Sequence, residues 1–314
     1  MPLKKCISYI VKITWFNLLF IFIIYACTSR VDIDFQDFED HYIVNSIIVS
    51  DSPFRVCLTK SMRSNSEESF SFIDRALVKV SDGENSFLLS YVGEGIFQND
   101  TFPHYGTEYI LNIKLDNGLV LKAKTYSPDK PKINIIPSVK EDLVNVKLND
   151  NLIERNTYWV GIKTYSITNE RYYYDPYIYL DCLLFDDFNR RRTGEVKHGI
   201  IYSYHFMARL TDESFDGVIS FNVPRSWPDS YNDIDYKMIL YIINADEHLD
   251  QYMKSALIQY DLGVIGDMPV FHTPVDMYSN IENGKGIFGS YTISQFDITT
   301  PESIYQNNET GNTK

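Results

Sequence analysis

Between Tyr109 and Lys124 the sequence alternates apolar and polar residues about a single Asn-Gly pair, and this pattern commits the region to a β-hairpin. Tyr109, Leu111, Ile113 and Leu115 fall on one side of a period of two, with Asn112 and Lys114 on the other. Across Asp116-Asn117-Gly118, Lys122 and Lys124 mark the solvent face of the partner run Leu119–Lys124. Asn-Gly supplies the positive φ angles of a primed turn, whose twist matches that of the flanking strands. Tyr42–Ser50 and Leu77–Ser81 are rich in Ile, Val and Leu, and Asp82-Gly83 turns the chain from the latter into Phe87–Tyr91. About seven short strands in about ninety residues, with no helical period, predict a β-sandwich of immunoglobulin or transthyretin type over residues 42–126.

Ser127-Pro128-Asp129-Lys130-Pro131-Lys132 places two prolines close together, which blocks helix and central strand alike, so residues 127–132 read as a linker. Beyond it Leu143–Leu148, Tyr158–Ile167, Tyr177–Phe185, Gly199–Leu210, Gly217–Val223 and Tyr236–Asn244 are again strand-like. They predict a second β-rich domain over 133–305. Its one convincing helix has Leu249, Met253, Ala256, Leu257 and Tyr260 on a single face, after an Asn244-x-x-Glu247 pattern resembling a capping box, and with Gly263 as a stop. The fold class expected is therefore mainly β, a sandwich followed by a β-rich domain with one amphipathic helix. Residues 306–314 read as a polar, frayed tail.

The first 26 residues carry Lys4, Lys5 and Lys12 and then an uncharged apolar run from Trp15 to Ala26, the layout of a secretory leader. Twelve helical residues reach only about 18 Å, short of the roughly 30 Å of a hydrocarbon core. The run ends in Ile24-Tyr25-Ala26-Cys27, which resembles a bacterial lipobox. Acylation of the Cys27 thiol would follow, with cleavage after Ala26; several acyl chains anchor stably where one is marginal. Residues 27–41 would then be a tether. Cys57 and Cys182 sit in apolar runs far apart and read as buried thiols, with a bridge between them as the alternative. Against 42 acidic residues stand 29 basic ones, or 26 without the leader lysines, for a mature charge of −16. Such an acidic surface repels phosphate backbones and anionic headgroups, which sets aside nucleic-acid binding and electrostatic docking to membranes alike.

Near the C-terminus Ser279-Asn280-Ile281-Glu282-Asn283-Gly284-Lys285-Gly286-Ile287-Phe288-Gly289 resembles the Asn-Ile-x-Gly-Gly-x-Gly-x-Phe-Gly segment of a Bacteroidota lipoprotein family, domain of unknown function 4249. Leu210–Gly217 and Tyr252-Met253-Lys254-Ser255 also fit it. The departure is Asn283 where the family has Gly; Asn tolerates left-handed angles, so the turn survives. The resemblance runs from Cys27 to about Thr300. It implies an outer-membrane lipoprotein encoded beside TonB-dependent receptors, with no assigned catalytic residue.

No other motif carries chemistry. Gly284-x-Gly286-x-x-Gly289 matches the dinucleotide fingerprint, but Ile287-Phe288 and Tyr291-Thr292-Ile293 read as strand where that fingerprint opens a helix, so these glycines read as a structural turn, bulge or close approach. His198 and His205 lie seven apart and cannot share a metal from one strand face. Asp229, Tyr231, Asp233 and Asp235 have calcium-loop spacing without its glycine or its bidentate Glu. No cofactor and no metal are expected. Tyrosine is in excess at Tyr172, Tyr173, Tyr174, Tyr177 and Tyr179, with Trp159 upstream. Trp159, Tyr172, Tyr173, Tyr174 and Tyr177 are candidate contacts for a glycan, peptide or protein; the alternative is that they fill strands, where aromatics are favoured. The function expected is a non-catalytic binding accessory to TonB-dependent nutrient uptake, anchored in outer-membrane lipid through Cys27. A structural or adhesive envelope protein and a glycan or peptide hydrolase are the alternatives.

Overall fold

In the computed structural model the described residues are 40–61, 71–137, 143–150, 154–167, 170–174, 207–212, 217–224, 236–265 and 276–300. They are mainly β, with one helix among them. Cys27, Tyr177, Tyr179, Cys182, His198, His205, Asp229, Tyr231, Asp233, Asp235 and residues 306–314 lie outside the described residues. Strands β1 (Tyr42–Val49), β2 (Arg55–Lys60), β3 (Ala76–Ser81), β4 (Ser86–Gly93), β5 (Ile96–Gln98), β6 (Thr107–Leu115) and β7 (Val120–Ser127) build the first half. Alternation is strict where it was read from the sequence: in β6, Tyr109, Leu111, Ile113 and Leu115 are buried and Lys114 is exposed. These four join Val44, Leu58, Val78, Val80, Phe97 and Leu121 in one core, where each fully buried large side chain contributes about 1.5–3 kcal/mol. Strand β4 pairs with β3 along Ser86–Leu89 and with β5 along Ser90–Gly93, so it carries the chain path from one layer of this sandwich to the other.

The β6–β7 turn is built differently from the primed turn expected. Gly118 alone has a positive φ, at 85°, and its N–H donates to Leu115 O (2.9 Å) while Leu115 N–H donates to Leu119 O (2.9 Å). This is a three-residue loop ending in a glycine bulge, and Asn117 uses its side chain instead of its backbone: Oδ1 accepts from Leu119 N–H and Nδ2 donates to the Tyr42 hydroxyl.

Strands β8 (Lys132–Pro137), β9 (Leu143–Asn149), β10 (Thr157–Ser166), β11 (Arg171–Tyr174), β12 (Met207–Thr211), β13 (Val218–Pro224), β14 (Tyr236–Ala245) and β15 (Lys285–Asp297) form the second half with helix α1 (Glu247–Ile265). Here β10 and β14 are buried on both faces. Tyr158, Val160, Ile162, Leu240 and Ile242 pack against the three-stranded sheet β13-β9-β8, whereas Trp159, Tyr241 and Ile243 pack against Leu249, Met253 and Leu257 of α1. Period two thus aims alternate residues at a sheet on one side and a helix on the other. The helix runs past Gly263, and its cap is Asp246, not Asn244: the Asp246 carboxylate accepts from Leu249 N–H at 2.9 Å, while Asn244 is the penultimate residue of β14.

The boundary drawn at residues 127–132 needs correction. Strand β15 pairs antiparallel with β14 and parallel with β1, so a single twelve-stranded sheet runs from β11 through to β7, and Asp40–Lys314 forms one compact unit. The proline segment lies along β15 and is fastened to it. Ser290, Thr292 and Ser294, alternate residues of one strand face, donate their hydroxyls to the carbonyls of Tyr126 (3.1 Å), Asp129 (2.8 Å) and Pro131 (2.9 Å). Proline removes the N–H but leaves the carbonyl, and buried hydroxyls satisfy it.

Gly286 makes the β1–β15 pairing possible. Its φ is +111°, and a Cβ there would stand 1.9 Å from the Val44 carbonyl oxygen. Gly284 lies against Tyr42 O, and at Gly289 a Cβ would be 3.0 Å from Leu249 Cβ, where α1 crosses the sheet. Gly286 and Gly289 are therefore strand residues at close approaches, and only Gly284 belongs to the turn before the strand. Asn283 has φ +61° and donates its side-chain amide to Val120 O at 3.0 Å. Lys122 and Glu282 exchange backbone hydrogen bonds, which bring the last strand of the first half onto the segment leading into β15.

Candidate functional site

A polar cleft of about 780 Å³ opens at the start of α1. Its walls come from both halves: Thr125 and Tyr126 of β7, the entry to β10 at Glu154–Thr157, the end of β12 from Arg209 to Asp212, and the first two turns of α1.

The floor is a set of engaged polar groups. Asp250, on the inner face of α1, accepts from Arg209 Nε at Oδ1 (2.7 Å) and from an Arg209 terminal nitrogen at Oδ2 (2.7 Å). Its Oδ1 also accepts from Trp159 Nε1 at 3.0 Å, so the helix is tied to β10 and β12 at one point. Both partners of this two-pronged ion pair are buried. Asp246 accepts from Leu249 N–H and Ser290 N–H at Oδ1 and from the Thr125 hydroxyl at Oδ2 (2.7 Å), which joins α1, β15 and β7. Asn156 receives the Asn244 amide (2.7 Å) and donates its own to Asp150 (2.9 Å), while its backbone N–H donates to Asp212 (2.8 Å). Tyr158 donates to the same Asp150 oxygen at 2.5 Å, and burial with that carboxylate holds its phenol well above the ordinary range. On the helix flank, His248 Nδ1 and the Tyr278 hydroxyl are 2.6 Å apart. On the rim Arg155, Glu247 and Gln251 are exposed.

Burial raises the Asp246 carboxyl above its ordinary value, against the pull of the hydrogen bonds from Ser290, Thr125 and Leu249 and of nearby His248. The folded protein thus holds a proton there that the unfolded chain has already released. Stability from this group is full at and below about pH 4, the ordinary carboxylate range, and falls as pH rises through the folded-state value. Asp246→Asn keeps the Oδ1 acceptor and offers Thr125 an amide donor. In urea titrations across pH this variant is expected to lose that downward slope; an unchanged slope would place it on another group.

Of the aromatic residues singled out in the sequence, Trp159 is a core side chain and not part of an exposed surface. Trp159 is fully buried, because β10 is covered on both faces, and its indole N–H is spent on Asp250. Its place in the core was legible in the unbroken apolar run Tyr158–Ile162. Tyr172, Tyr173 and Tyr174 lie in β11, opposite Tyr165, Thr164 and Lys163 of β10. Cys57 is a free, half-buried thiol whose pKa is raised by burial, against the pull of Arg55. No group of metal-ligating side chains and no membrane-length apolar helix occurs among the described residues. Asp246, Asp250, Arg209 and Asn156 escaped the sequence reading, since their partners lie on distant strands.

No curated protein matches this chain. Among solved structures it is similar to one described as a cytokine receptor complex, crystal form 1A, at 8% identity and a TM-score of 0.24, covering 82% of this chain and 97% of that one. A family model, the domain of unknown function DUF4249, matches residues 28–297. With the match spanning nearly the whole β structure and the glycine segment that seats β15 on β1, the chain belongs to the DUF4249 family.

Proposed function

We propose that this chain is a non-catalytic lipoprotein of the outer membrane that works by binding, as an accessory to a TonB-dependent receptor in nutrient uptake. The observation that carries the binding role is the division of labour in the cleft. Asp246, Asp250 and Asp212 on its floor are each engaged in holding strands and helix together, so the groups left to meet a ligand stand on the rim. The charged and amide groups that line the rim, Arg155, Glu247 and Gln251, offer donors and acceptors of both signs to a polar ligand or a protein surface. Support for the anchor comes from Ile24-Tyr25-Ala26-Cys27 and from a family match that begins at residue 28.

Cys27→Ala tests the anchor. The wild-type protein is expected in the outer-membrane fraction with metabolically incorporated palmitate, and the variant without label and outside that fraction. Palmitate retained in the variant would end the lipoprotein reading. Affinity purification from solubilised outer membranes should recover a TonB-dependent receptor, with recovery reduced by Arg155→Glu; a preparation free of any receptor would refute the accessory role.

A further inference from the structure

The outer face of the sheet β4-β3-β6-β7 departs from the acidity of the chain as a whole. Its outward positions on β3, β6 and β7 carry Lys79, Lys114, Lys122 and Lys124 against one carboxylate, Glu108, which is paired with Lys124 at 3.4 Å. The register gathers these lysines. Asn112 lies between Lys79 and Lys122 in one cross-strand row, Lys114 stands opposite Leu77 in the next, and Lys124 opposite Ile110 in the row on the other side. With strands about 4.8 Å apart and a two-residue repeat of about 6.8 Å, the other three lysines fall within about 10 Å of Lys122. Two aliphatic side chains stand out from the same face: Leu77 is 50% exposed, and Leu88, opposite Lys79, is 54% exposed.

We infer that this face is a docking surface for an anionic lipid bilayer. Lysine ammonium groups on long apolar stems, interleaved with projecting leucines, suit the headgroup region, where the charge meets phosphate and the aliphatic groups enter the acyl boundary. A sheet face is also broad, which suits a plane; only its corner at Glu108 and Lys124 borders the cleft. The net charge of −16 without the leader lysines does not oppose this. At physiological salt the Debye length is about 8 Å, and the second layer of the sandwich lies about 10 Å behind the first, so the bilayer senses the near face. The average charge argued against membrane docking because an average ignores where the fold puts its lysines. The inference rests on the envelope reading above only for a bilayer being within reach.

The test is co-sedimentation of the chain from Thr28 onward, which lacks the leader and Cys27, with vesicles of phosphatidylcholine alone or with one-third phosphatidylglycerol. Its outcome is independent of acylation, so failure here and failure of the anchor are separate results. Binding is expected on the anionic vesicles only, and to be lost at high salt. A lysine near such a surface is worth about 1 kcal/mol, about fivefold, so Lys79→Gln, Lys114→Gln and Lys122→Gln together should weaken partitioning on the order of 100-fold. The charge-matched set Lys130→Gln, Lys132→Gln and Lys237→Gln, at exposed positions on other elements, should leave most of the binding in place. Circular dichroism of both triple variants confirms folding. Equal binding to both vesicles, equal loss in the two variants, or binding to soluble polyglutamate in place of vesicles would overturn the inference, the last by assigning the face to an acidic protein.

Discussion

Gly286→Ala is expected to yield little folded protein, with a loss on the order of 4 kcal/mol or more, a large share of the roughly 5–15 kcal/mol that holds a typical domain. Two effects combine. An L side chain at φ +111° costs about 1–3 kcal/mol, and the added Cβ would sit 1.9 Å from Val44 O, a backbone atom that moves only if β1 and β15 separate. That pairing runs from Ile43–Lys285 to Val49–Tyr291 and is what makes the two halves share a sheet. Gly93 provides the control: its φ is +119°, but nothing lies within 4 Å of a Cβ built there. Gly93→Ala should therefore cost only the backbone strain, about 1–3 kcal/mol. Urea midpoints of the two variants decide the matter; similar losses would mean that strand contact at Gly286 is not the dominant effect.

The second large effect is expected at the buried ion pair. Asp250→Asn takes the two-pronged carboxylate from the buried Arg209 guanidinium, and Arg209→Met takes the guanidinium from the Asp250 carboxylate, which keeps the Trp159 N–H. Removing one member of a buried pair costs about 3–5 kcal/mol, because the remaining charge has lost water and the partner that faced it. The double variant leaves no buried charge, and the Asn carbonyl can still accept from Trp159. Its loss should be smaller than the sum of the single losses by 2 kcal/mol or more, a coupling that denaturant titration of all four proteins measures. Single losses under about 1 kcal/mol, the range of exposed pairs, would show that water reaches this site. Since Asp250 fixes α1 against β10 and β12, the single variants should also loosen the cleft wall.

What could be read from the chain alone was what neighbours in sequence decide. The hairpin at Asn117-Gly118, the apolar faces of β1, β3 and β6, and the helix carrying Leu249, Met253 and Leu257 follow from period and turn chemistry acting over a few residues. Misreadings arose where a partner came from far away. Asn244 looked like a helix cap because its spacing to Glu247 was right, yet Asp246 holds that place, with a carboxylate that also reaches Ser290 and Thr125. Trp159 was grouped with the tyrosines as a candidate contact on composition, although the apolar run around it pointed to the core. Pro128 and Pro131 read as a linker between domains because the hydroxyls that bind the neighbouring carbonyls lie on β15.

The sequence by itself determined that this chain is built of strands, where most of them turn, which segment carries its single described helix, and which family it resembles. Only the tertiary structure decided that the two halves are one sheet, that Gly286 is its seam, that buried carboxylates line the cleft as structural ties, and that lysines scattered through an acidic chain share one face. The reason is the range of the forces. Side-chain period and turn preference are set within a few residues, whereas register between strands far apart in the chain is set by the burial and hydrogen bonding that become available only once those strands meet.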